Sequence, residues 1–242
     1  MNIDFYISAA KTKISNKPIK TFVLAIYAGI FIALAGVLST IVSLSIKDYS
    51  TAKILSALVF PIGLIFVILM QTELFTGNSL LVIPVLNKDI TIKEMLRNWL
   101  IVYLGNFCGA LIISILIFNT PLKGVLLEKM VSISTSKISL KFFEAIILGV
   151  LCNFLVCLAV YLASTMKKPM EKIPVIFFPI FVFVALSFEH SVANMSYLSL
   201  GYLLDSNITL LKILLNNLLP VTIGNVIGGS ILGASIWYLR KE

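Results

Sequence analysis

Two long apolar stretches of this chain are broken at corresponding places, and few folds accommodate that. The first runs from Leu55 to Met70, turns polar over Gln71-Thr-Glu-Leu-Phe-Thr-Gly-Asn78, and ends in a short apolar tail, residues 80–86. The second runs from Ile173 to Phe188, turns polar over Glu189-His-Ser-Val-Ala-Asn194, and also ends in an apolar tail. Each has an internal proline (Pro61, Pro179) and an acid followed five residues later by asparagine (Glu73 and Asn78, Glu189 and Asn194). In a bilayer, non-helical backbone survives only where it is buried in protein or lines a cavity. Interrupted apolar segments at matching positions of two halves point to a path near the bilayer midplane. The pattern reads as a permeation protein whose second and fifth spans are broken.

Composition agrees with a bilayer setting. Hydrophobic residues make up 59% of the 242 and charged residues 12%, with a mean hydropathy of +1.04; soluble domains carry roughly twice that charge. Six segments, near 21–46, 55–86, 96–118, 143–166, 173–204 and 209–239, are long enough to cross or nearly cross about 30 Å of hydrocarbon. The expected fold is an all-α membrane protein with one channel domain over 21–242. Residues 1–20 read as a cytoplasmic amphipathic segment, with Ile3, Phe5, Ile7, Ala10 and Ile14 set against lysines; a disordered tail is the alternative. Ala33-Leu34-Ala35 resembles a cleavage site, but apolar character continues to Ile46, too far for a signal peptide.

The net charge of +8 sits in loops and tails with no aromatic-interleaved basic face, so nucleic acid is not an expected partner. With the N-terminus inside, inner parts hold Lys11, Lys13, Lys17, Lys20, Lys88, Lys93, Arg97, Lys167, Lys168, Lys172, Arg240 and Lys241. Outer parts then hold only Lys47, Lys53, Lys123, Lys129, Lys137, Lys141 and Lys212. This bias predicts a multi-pass protein of the cell membrane with both termini cytoplasmic. Cys108, Cys152 and Cys157 lie inside spans without metal-ligand spacing and read as small packing residues.

The halves, about 21–118 and 143–239, read as a duplication. Gly105-Asn106-Phe-Cys-Gly109 returns as Gly224-Asn225-Val-Ile-Gly228, 119 residues later. Glu73 and Glu189 are 116 apart, Pro61 and Pro179 are 118, and Gly29 and Gly149 are 120. Three spans per half send the second half in from the opposite side, a 3+3 inverted repeat. An asparagine within a span is costly unless bonded, so Asn106, Asn153 and Asn225 are expected to face the interior or the pore.

His190 is the only histidine and lies in the second break. An intramembrane ionisable group is a functional candidate, with a structural role toward loop carbonyls as the alternative. Thr76 offers a hydroxyl from the first break, for an anion, for His190 or for its own turn. Gly77 suits a sharp bend or a positive φ. Phe60, Leu64, Leu74, Phe75 and Phe183 are candidate apolar constrictions; packing is the alternative for each. Glu73, Asn78, Glu189 and Asn194 are expected to support the breaks, the carboxylates by accepting backbone N–H bonds, with proton transfer as the alternative. Lys137 is placed in an outer loop, either solvated or drawing anions to the mouth. No catalytic triad, metal motif or phosphate loop is present, so no enzyme, metal or cofactor is expected.

Glu73-Leu-Phe-Thr-Gly-Asn78, Gly105-Asn106, Glu144-Ala145, Leu151-Cys-Asn-Phe-Leu-Val-Cys-Leu-Ala159, Phe188-Glu-His-Ser-Val-Ala-Asn-Met195 and Pro220-Val-Thr-Ile-Gly-Asn-Val-Ile-Gly-Gly229 resemble the formate/nitrite transporter family. The resemblance implies an aquaporin-like six-helix protomer and a homopentamer with one pore per protomer, carrying a small weak-acid anion: formate, nitrite or hydrosulfide. It also implies a pore centre at Thr76 and His190 with Asn153 and Asn225 beside it, anion attraction at Lys137, and constrictions at Leu64, Phe75 and Phe183. Two mechanisms are open: His190 protonates the anion, or it only hydrogen-bonds to a passing charge. An aquaporin-type pore for neutral solutes is the alternative function, although the paired Asn-Pro-Ala signature is absent.

Overall fold

The computed structural model describes residues 3–240, and all regular structure among them is helical. The first half contains α1 (Asp4–Ser15), α2 (Pro18–Ile41), α3 (Tyr49–Val59) and α4 (Ile62–Leu69), then a 3-10 helix (Gly77–Leu81), α5 (Val82–Leu86) and α6 (Ile92–Phe118). The second contains α7 (Leu122–Ile138), α8 (Phe142–Thr165), α9 (Pro169–Ala185), α10 (Ser191–Leu204), α11 (Leu210–Ile213), a π-helical turn (Leu214–Leu218) and α12 (Leu219–Arg240). Five helical segments are long and apolar enough to cross a membrane: Pro18–Ile41, Tyr49–Leu69, Ile92–Phe118, Phe142–Thr165 and Leu210–Arg240. The expected segment 173–204 is divided between α9 and α10, each too short to qualify by itself.

The most extensive pairings are α2 with α6 and α8 with α12. Both depend on the last glycine of the repeated Gly-Asn-x-x-Gly block. A Cβ on Gly109 would run into the backbone of Ile26, and one on Gly228 into the backbone of Val150; the absent side chain lets the helices close to backbone contact.

α1 does more than lie on a surface. Tyr6, Ile7 and Ala10 are buried against Leu80, Ile83, Met95, Tyr161 and Leu232, while Phe5 remains 59% exposed. Lys11 pairs with Asp89 at 2.6 Å. That hydrogen-bonded ammonium, with Asn87 beside it, holds the Asp89 carboxyl below the usual carboxylate range.

The segment expected as an outer loop before the fourth span is instead α7. Leu126, Met130, Ser134 and Ile138 recur every fourth residue and are buried, which gives the helix a continuous inner stripe. Ser134 Oγ donates to the Tyr197 carbonyl of α10 at 2.9 Å. Lys137 therefore sits in the last turn of a packed helix, not in a loop.

Both breaks have the same backbone form. The helix before each ends in a residue with positive φ, Gln71 at 53° and Ser187 at 58°. The next amide reaches back five residues, Thr72 to Val67 at 3.0 Å and Phe188 to Phe183 at 2.9 Å. These closures satisfy helix-end carbonyls with a left-handed residue. The expected bend at Gly77 is absent: no glycine has positive φ, and Gly77 begins the 3-10 helix with Val160 close by. The prolines differ too: Pro61 separates α3 from α4, whereas α9 continues through Pro174 and Pro179.

Candidate functional site

The non-helical backbone of each break is held by one buried asparagine. Asn106 Oδ1 accepts from Phe75 N at 2.9 Å, and its Nδ2 donates to the carbonyls of Ala25 (2.8 Å) and Glu73 (2.9 Å). Asn225 Oδ1 accepts from Ser191 N at 2.8 Å, and its Nδ2 donates to the carbonyls of Gly149 and Glu189, both at 2.9 Å. Glu73 N and Glu189 N complete the anchoring on the carbonyls of Leu24 and Leu148. These bonds match residues 124 apart in the first and fourth spans. By that register the counterpart of Gly29 is Asn153, not Gly149 as the sequence comparison had it.

The break carboxylates do not accept backbone N–H bonds as expected; they bind lysine and amide side chains. Glu189 receives Lys137 Nζ at 2.7 Å, Asn194 Nδ2 at 2.5 Å and Asn217 Nδ2 at 3.2 Å. Glu73 receives Lys13 Nζ at 3.1 Å and Asn78 Nδ2 at 2.6 Å, and Asn78 Nδ2 also reaches Asn98 Oδ1 at 2.9 Å. Lys13, Asn98 and Asn217 were not singled out from the sequence. The repeat arithmetic contained them: Asn98 and Asn217 are 119 apart, like the two Gly-Asn blocks, and Lys13 and Lys137 are 124 apart.

His190 and Thr76 meet where the breaks come together, His190 Nε2 lying 2.8 Å from Thr76 Oγ1. His190 also caps α10, its Nδ1 accepting from Ala193 N at 3.1 Å. An accepting Nδ1 assigns the proton of the neutral ring to Nε2, which donates to Thr76. Both residues are buried. Asn153 lies beside them: its Nδ2 donates to the carbonyls of Asn225 (2.6 Å) and Thr76 (3.2 Å) and to Ser79 Oγ (3.1 Å). Its Oδ1 has no hydrogen-bond partner among the described residues.

The candidate constrictions divide into two groups. Phe183 stacks on His190 with centroids 5.8 Å apart and meets Phe60 edge to face at 5.7 Å. Phe75 packs instead on Tyr103 (4.9 Å) and Trp99 (6.3 Å). Leu64 and Leu74 are buried in the same apolar core. A cavity of about 530 Å³ reaches Phe60, Phe183 and His190 from the Lys137 side, with Lys53, Lys129 and Lys137 on its walls. On the Lys13 side, the hollow bordered by Lys13, Asn16 and Asn98 measures only about 20 Å³.

A family model described as formate/nitrite transporter matches residues 2–239. The formate channel FocA of Escherichia coli (strain K12) is 33% identical over 257 residues, spanning 95% of this chain and 90% of that relative. A probable formate transporter of Methanothermobacter thermautotrophicus is 36% identical, spanning 90% and 88%. Among solved structures, a pentameric formate channel with formate bound gives a TM-score of 0.80 at 32% identity, covering 92% of this chain and 96% of that one. An FNT family ion channel gives 0.89 at 28% identity, covering 98% of both. Paired breaks, a histidine between them and a match running almost end to end make this chain a membrane protein of the formate/nitrite transporter family.

Proposed function

We propose that the chain is a channel for small monovalent weak-acid anions, formate first, and that the ion passes between Thr76 and His190. The hydrogen bond between those two residues, directly behind a lysine-lined cavity, carries the reading. The names of the relatives favour formate over nitrite or hydrosulfide. The working architecture is six spans in a 3+3 inverted repeat, with the second and fifth broken, both termini cytoplasmic, in the plasma membrane. The amphipathic N-terminal segment, 1–20, forms its inner edge, and 21–242 the channel domain. Likeness to a pentameric relative favours five copies, each with its own pore.

Lys137 raises the local anion concentration, and Phe60 and Phe183 exclude water and bare ions, with Leu64, Leu74 and Phe75 continuing the apolar wall. Asn106 and Asn225 fix the backbone around the pore centre, Asn153 flanks it, and Glu73, Asn78, Glu189 and Asn194 brace the breaks. Of the two roles open to His190, hydrogen-bond donation has the geometric support. Nδ1 already accepts from Ala193 N, so taking up a proton there breaks the α10 cap, and giving up the Nε2 proton leaves an imidazolate.

The test is flux of formate, nitrite, hydrosulfide and chloride into proteoliposomes at two external pH values. Selective weak-acid flux supports the channel, and the His190→Asn variant should lose rate while keeping its pH response. Loss of the pH response would restore histidine-coupled protonation. No flux of any anion, with water or glycerol passing instead, would transfer the reading to the neutral-solute pore.

A further inference from the structure

The cavity on the Lys137 side is out of scale with a cargo of three heavy atoms. A water molecule occupies about 30 Å³ and formate little more, yet the cavity holds about 530 Å³. That lies within the range of sites that enclose whole metabolites, about 300–1,000 Å³. Its charge is disproportionate in the same way. Three lysines line it against the one carboxylate of Glu189, and Glu189 is already bonded to Lys137 at 2.7 Å. Among the described residues, neither Lys53 nor Lys129 has an acidic partner; Lys53 Nζ rests 5.6 Å from the Tyr49 ring centroid.

The two unpaired ammonium groups come from different helices across the cavity. Lys53 shares one face of α3 with Ser56 and Phe60, at spacings of three and seven. Lys129 shares one face of α7 with Ser132 and Ser136, at the same spacings. Residues so spaced stand one above another along a helix, so each lysine stands over a serine one turn further on, Ser56 below Lys53 and Ser132 below Lys129. Beneath both, the floor narrows to the Phe60–Phe183 pair, edge to face.

We infer that this cavity binds a small polyvalent oxyanion, of the size of a tricarboxylate or a pyrophosphate, bridged between Lys53 and Lys129, and that the bound anion blocks the channel. A monovalent ion meets one ammonium at a time and passes on. An ion with two or three charges gains from both lysines at once, and the aromatic floor refuses it. The blocking half of this inference rests on the channel reading; the binding half does not.

Two measurements keep those halves separate. Calorimetry on the detergent-solubilised full chain, with tricarballylate and with pyrophosphate, reads binding directly. Formate efflux from phosphatidylcholine vesicles, free of anionic headgroups, reads block by the same anions against sodium chloride at equal ionic strength. Both anions should bind and should slow efflux at concentrations where chloride does not. Lys53→Gln or Lys129→Gln should each weaken binding about tenfold, the worth of one ammonium contact in a half-exposed site. In the double variant the block, normalised to its own uninhibited efflux, should disappear. Lys53→Arg/Lys129→Arg should bind like the parent, which separates charge from fold. Equal inhibition by matched chloride, or unchanged affinity in a double-glutamine variant that melts normally, overturns the inference. Binding without any formate flux would overturn the channel reading alone.

Discussion

Asn225→Asp tests the claim that one amide holds each break. The change keeps the size of the side chain and keeps an oxygen for Ser191 N. It removes the Nδ2 group that donates to the Gly149 and Glu189 carbonyls, each at 2.9 Å and in a fully buried site. The Gly149 carbonyl keeps its helical amide partner within α8, so the Glu189 carbonyl is the buried acceptor left without its donor, at a cost of about 1–3 kcal/mol. At about 2–4 °C per kcal/mol for a chain of this length, the melting temperature should fall by at least about 2 °C. Asn106→Asp should produce the same loss, because its three bonds match within 0.1 Å. The double variant should be additive, since the two amides share no partner. The new carboxylate is disfavoured as an anion by its burial. The deficit should therefore shrink as pH falls and the neutral acid regains one donor. The assay is tryptophan fluorescence against temperature in detergent, at neutral and at mildly acidic pH. A neutral-pH shift below about 1 °C, a loss confined to one half, or a deficit that grows in acid would refute the reasoning.

Lys13→Met removes the cation from Glu73, whose side chain is 3% exposed, and should loosen α1; amide exchange at Tyr6, Ile7 and Ala10 should quicken about tenfold, and unchanged protection would count against the pairing. Phe183→Ala removes half of the aromatic floor, so chloride should gain permeability relative to formate in vesicle flux, and a constant ratio would show that the ring selects nothing. Gly228→Ala drives a Cβ into the Val150 backbone and should lower the melting temperature, whereas Gly124→Ala on α7, with nothing within 4 Å, should raise stability by about 0.5 kcal/mol.

The breaks were legible because an apolar run cannot turn polar in a bilayer without a structural reason. Asn106, Asn153 and Asn225 were legible as interior residues because lipid offers them no partner. α7 was not: its charged and hydroxyl residues hide an inner stripe that is explained only by the faces of α10, α2 and α6 on which it docks. The role of Lys13 was obscured because a lysine near a terminus looks solvated until its helix is folded back onto the protein. Glu73 and Glu189 were assigned to backbone amides because their lysine partners lie far off in sequence, 60 and 52 residues away, while the asparagines that also donate to them stand only five residues on. Gly77 looked like the hinge because glycine tolerates positive φ, yet the chain turns at Gln71 and Ser187, where the helix-closing hydrogen bonds set the geometry.

The partners of Glu73 and Asn78 and the amide staple of the first break all come from residues 13–106, and those of Glu189 and Asn194 and the second staple from 137–225. In each case the lysine leaves the ribosome before its acid, and the stapling asparagine follows soon after. A nascent chain can thus complete one broken segment before the other has been translated. The bonds from Thr76 to His190 and Asn153 span the two halves and need residues of both. The order of synthesis therefore lets the first support be finished before any residue of the second exists, and the shared passage forms only once the second half has been made against it.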